Sequence, residues 1–79
     1  MCDTYTLIKY GREHKGVDGL LDKLNVIYNK GREFNCLPST VEFALRTIAR
    51  EQPGATNRKV NLVVAAFVRR YNEFYAKTR

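Results

Sequence analysis

The run VDGLLDKLNVIYNKGRE, residues 17 to 33, decides how the rest of the chain is read. Apart from Val26, its apolar side chains fall at 17, 20, 21, 24, 27 and 28, the i, i+3, i+4, i+7 spacing that places them on one face of an α-helix. No strand alternation fits that spacing. Asp18 and Asp22 stand in the first turns and Lys30 in the last, each with the sign the helix dipole favours. Gly31 can take the left-handed closing conformation. The spacing therefore predicts a helix over about 17–30, stopped at Gly31.

Gly31-Arg32-Glu33 repeats an earlier Gly11-Arg12-Glu13, and each copy follows a run ending in tyrosine or lysine, Leu7-Ile8-Lys9-Tyr10 and Ile27-Tyr28-Asn29-Lys30. A repeated function, such as two equivalent phosphate contacts, is one explanation. The other is repeated backbone grammar, two helices stopped in the same way, and it is preferred here. Gly11 then ends a short N-terminal helix capped by Asp3, and Arg12 and Arg32 follow where a cation suits a helix carboxyl end. Residues 4–10 are rich in strand formers, so an extended segment pairing with residues 33–37 is the alternative.

Downstream, Ser39-Thr40-Val41-Glu42 reads as a capping box after Pro38, opening a helix over about 40–51. Val41, Ala44, Leu45, Ile48 and Ala49 share its inner face, and Gln52-Pro53-Gly54 ends it. Phe43, Arg46 and Arg50 point the other way; the N-terminal segment, which must pack its own Tyr5, Leu7, Ile8 and Tyr10, is expected to cover Phe43. A third helix, over about 57–77, starts after Thr56 or Asn57 as cap. Val60, Val63, Val64, Phe67, Val68, Tyr71, Phe74 and Tyr75 lie on one arc of it, and a helix of that length spans roughly 30 Å.

The fold expected is all-α: one domain over residues 1–79, a small compact bundle of three main helices (17–30, 40–51 and 57–77) with a short N-terminal helix or extended segment. A chain of 79 residues buries a limited core, and a homodimer is compatible with that. The longest apolar run, residues 62–68, is too short to cross a bilayer of roughly 30 Å. Cys2 and Cys36 are the two cysteines, and without a signal-peptide pattern ahead of them they are expected as free thiols in a reducing cytoplasm.

Composition argues against catalysis. His14 is the sole histidine, in a Gly-flanked basic loop, and Cys2, His14 and Cys36 are too scattered for the paired spacing of a zinc site. The carboxylates sit at helix starts or beside basic residues, and Gly54-Ala55-Thr56-Asn57-Arg58-Lys59 lacks the spacing of a phosphate-binding loop. No enzyme, cofactor or metal is expected.

What the chain does carry is charge, fourteen Lys and Arg against eight Asp and Glu, a formal net of +6. Much of it gathers on the back of the third helix, where Arg58, Lys59, Arg69, Arg70 and Lys77 fall within an arc of about 120°, interrupted by Glu73. Leu62, Ala65, Ala66 and Ala76 lie between them, short enough for another backbone to approach. The function expected is a non-enzymatic module binding nucleic acid, mainly by its phosphate backbone. The alternative is a small regulator or inhibitor docking on an acidic protein partner through the same face or through Phe43, Arg46 and Arg50. A base-reading helix-turn-helix fits poorly, because the connection over residues 52–56 is longer than the usual turn and few polar side chains precede the apolar stretch.

Overall fold

A computed structural model describes residues 3–13 and 19–78. It holds four helices, α1 (Thr4–Glu13), α2 (Leu20–Phe34), α3 (Pro38–Arg50) and α4 (Asn57–Lys77), with no strand among the described residues. Helices α2 and α3 form the middle of the bundle; α1 packs on both from one side and α4 from the other, and α1 does not reach α4. The chain is all-helical as expected, and the extended alternative for residues 4–10 gives way to a ten-residue helix.

Asp3 caps α1, its Oδ1 accepting the Thr6 N–H at 2.7 Å, and hydrogen bonding from Thr6 holds its carboxyl below the ordinary range. Helix α4 occupies the expected span, capped by Thr56, whose Oγ1 accepts the Lys59 N–H at 3.2 Å. Other boundaries differ from expectation. Helix α3 begins at Pro38 with Leu37 at the cap position and no side-chain cap bond. Proline tolerates the first turn because its missing N–H is an orphan there in any case. The capping box does not form, and Glu42 instead accepts from Arg46 Nε at 3.1 Å, one turn on.

Helix α2 starts at Leu20, with Val17 and Asp18 outside the described residues, and runs past Lys30 to Phe34. Gly31 is therefore no stop. The stop is Asn35, in the left-handed conformation (φ 54°, ψ 48°), with its N–H on Arg32 O at 3.2 Å and the Cys36 N–H on Gly31 O at 2.9 Å. That pair of bonds is a Schellman motif, closed by asparagine in place of glycine.

Both repeated glycines have a different purpose, close packing inside a helix. A Cβ on Gly31 would stand 2.8 Å from Val41 Cγ2 and 3.2 Å from Tyr71 Cε1. On Gly11 it would stand 2.9 Å from Ile27 Cδ1 and 3.1 Å from Ile48 Cγ1. Gly11 lets α1 approach α2 and α3, and Gly31 lets α2 approach α3 and α4.

Leu7, Leu24, Ile27, Val41, Leu45, Ile48, Val64, Phe67 and Tyr71 fill the core. Tyr71 also locks α4 to the end of α2, its hydroxyl lying 2.9 Å from Gly31 O and 2.6 Å from Cys36 O. Burial pushes the Tyr71 phenol up to about 12. Cys36, expected as a free thiol, is disulfide-bonded, with its partner outside the described residues. No helix among the described residues is long and apolar enough to cross a membrane.

Candidate nucleic-acid interface

Because the core arc of α4 is fixed by Val60, Val64, Phe67 and Tyr71, helical geometry turns the opposite arc outward. Arg58, Lys59, Arg69, Arg70 and Lys77 are all exposed there. The ion pairs among the described residues use other cations: Arg12 with Glu51, Lys30 with Glu33 and Arg46 with Glu42. The five α4 cations have no carboxylate partner among those residues. Leu62, 69% exposed, and the exposed Ala65 and Ala66 separate the upper pair from the lower three.

Two of the lower cations join a feature that the sequence did not reveal. Arg70 lays its guanidinium 5.1 Å from the centre of the Tyr28 ring and 5.9 Å from that of Phe67. From α2, Arg32 reaches the same place, 5.8 Å from Tyr28 and 4.7 Å from Phe74. Tyr28 itself sits edge-on to Phe67 and Tyr71, so the floor under the two arginines is rigid. Lys77 and Glu73 complete a shallow groove of about 280 Å³ between α2 and α4. Arg32 remains in the last turn of α2, where its charge suits the dipole, yet its neighbours come from α4. Nothing local in the sequence announces that meeting.

Lys59 lies elsewhere, beside an apolar hollow of about 290 Å³ lined also by Leu20, Pro53, Val60 and Val63. On α3 the three residues offered as a second surface part company. Phe43 is 61% exposed, so the N-terminal segment does not cover it as expected. Arg50 is exposed, while Arg46 is held by Glu42 and, through Nη1, by Asn61 Oδ1 at 2.6 Å, tying α3 to α4.

Arg12 is occupied structurally. Arg12 grips Glu51 through Nε and Nη2, a fork that draws the Glu51 carboxyl below its ordinary range and raises the Arg12 guanidinium. No cluster of three metal-ligating side chains occurs among the described residues, and His14 lies outside them. No protein-family model, curated protein or solved structure matches this chain.

Proposed function

We propose that this chain is a non-enzymatic binding module that contacts nucleic acid, mainly at the phosphate backbone, with the basic face of α4. The observation that carries the reading is the set of exposed cations without carboxylate partners among the described residues, Arg58, Lys59, Arg69, Arg70 and Lys77, along one helix. A cation already paired inside the protein gains little from a phosphate, because it must give up one partner for another. An unpaired one releases counterions from the polyanion at no such cost. The Lys59 N–H at the amino end of α4 is taken by Thr56, so side chains rather than that backbone donor make the contacts. Such binding is largely independent of sequence.

The test is fluorescence anisotropy of labelled single-stranded and duplex oligonucleotides at low and near-physiological salt, with Arg69→Glu, Arg70→Glu as the control. Micromolar binding that falls steeply with salt and weakens in the double variant, with the salt slope lower by about one to two units, is expected. Absence of binding at low salt contradicts the reading.

A second reading, a small regulator or inhibitor docking on a protein partner, draws on the exposure of Phe43, one turn from Arg46 and two from Arg50. Under it, Phe43→Ala or Ala66→Glu abolishes capture of a partner with little change in salt dependence.

A further inference from the structure

The α2–α4 groove differs from the rest of the basic surface in holding flat groups in fixed places. Arg32 and Arg70 come from different helices, carry like charge, and both lie over Tyr28, so they repel each other in the free protein. Neither is bonded to Glu73, the carboxylate that lines the groove. What keeps them there is contact of each guanidinium with aromatic rings, Phe74 at 4.7 Å for Arg32 and Tyr28 at 5.1 Å for Arg70. A guanidinium so placed lies over a ring, while the residue as a whole stays exposed. Such a plane accepts a second flat group by stacking and donates N–H bonds at its edge to an anion.

Building on the proposed function, we infer that the Arg32–Arg70 pair is a stacking site for unpaired bases, with Lys77 on the adjoining phosphate, so that the ligand is single-stranded rather than duplex nucleic acid. Three features support this occupant. Positive charge matches a phosphodiester, and an anion relieves the repulsion between the two arginines. The groove, about 280 Å³ and lined by residues of both helices, is of a size for one or two nucleotides. Bases buried in a duplex cannot present their faces to Arg32 and Arg70, whereas bases of a single strand can. An acidic peptide would satisfy the charge but leave the stacking planes unused.

The experiment compares a labelled oligothymidylate of about 12 nucleotides with an abasic strand of the same length and charge, in wild-type protein and in Arg32→Lys, Arg70→Lys, which keeps the charge and loses the planes. Wild-type protein is expected to bind the base-bearing strand roughly 5- to 100-fold more tightly than the abasic one. The double variant, with unchanged thermal stability, is expected to bind both at the abasic level. Equal affinity of the wild-type protein for the two strands overturns the stacking site while leaving phosphate binding intact. Failure of both strands to bind overturns the proposed function with it. Poly-L-glutamate that displaces the oligonucleotide as well as unlabelled oligothymidylate does points to an acidic protein ligand and likewise overturns the inference. The abasic comparison needs no variant, so misfolding of the lysine protein does not shield the proposal.

Discussion

Gly11-Arg12-Glu13 and Gly31-Arg32-Glu33 are the same three residues placed late in two helices, and they end in different circumstances. The glycines share a role, since each lets a neighbouring helix approach where a Cβ would collide. The arginines do not. Arg12 meets Glu51 across the α1–α3 side and is neutralised, whereas Arg32 meets Phe74 across the α2–α4 side, shares the Tyr28 ring with Arg70 and has no carboxylate partner among the described residues. Identical sequence thus gives a structural contact at one end of the bundle and a candidate ligand contact at the other. The difference lies in what the opposing helix supplies, a carboxylate in one case and aromatic rings with a second cation in the other.

The comparison breaks most visibly at the glycines. Gly31→Leu should lose about 3 kcal/mol, because Val41 and Tyr71 are buried and stiff and leave a larger side chain nowhere to go. Gly11→Leu should cost less in the same urea titration, since its nearest obstacle, Ile27 Cδ1, is the end of a side chain that can swing aside. The reverse ranking would mean that the contacts of α1 at Gly11, not those of α2 with α3 and α4 at Gly31, are the tight ones.

Tyr71, which rests on Gly31, sharpens the same point. Tyr71→Phe should cost about 1–3 kcal/mol, since the buried Cys36 carbonyl loses the hydroxyl bonded to it. Its phenol stays protonated in the folded protein up to about 12. An unfolded tyrosine ionises near 10, so this contribution is complete below that pH and is lost as the pH rises toward 12, by up to about 1.4 kcal/mol per pH unit. In the phenylalanine variant that share of the alkaline slope should vanish from denaturation measured between pH 9 and 12. An unchanged slope would assign it to the other tyrosines.

Smaller still are the effects of the arginines on stability. Arg12→Gln should lower Tm slightly at low salt and not at high salt, as an exposed pair does. Because Arg12 depresses the Glu51 carboxyl, the pair stabilises above the unfolded carboxylate range, and that contribution disappears as the pH falls through the folded value. Arg32→Gln should change Tm little, since the lost cation–π contact with Phe74 is offset by relief of like charge around Tyr28.

These contrasts show what was legible in the chain. Helix α4 and its Thr56 cap were readable because a long periodic apolar arc and a capping residue agree locally. The inner faces of α2 and α3 were readable for the same reason. The end of α2 was not, since Gly31 is a better stop by type than Asn35, and only contact with Val41 and Tyr71 shows that the glycine is needed for packing. The start of α3 was missed because Ser39 and Glu42 match a capping pattern while Pro38 and Arg46 offer each a competing arrangement. The basic arc of α4 followed from helical periodicity. Arg32 did not, because its neighbours Phe74 and Arg70 lie some forty positions away and meet it only through packing.

The most direct measurement is a salt titration of oligonucleotide binding by wild-type protein, Arg12→Gln and Arg32→Gln side by side. The two substitutions remove the same charge from the same tripeptide, so net charge is matched between them. Arg32→Gln should weaken binding and lower the salt slope by about one unit, while Arg12→Gln leaves both at the wild-type values. Equal losses in the two variants would show that only total charge matters and that the α2–α4 groove is no site. No loss in either would remove Arg32 from the interface altogether.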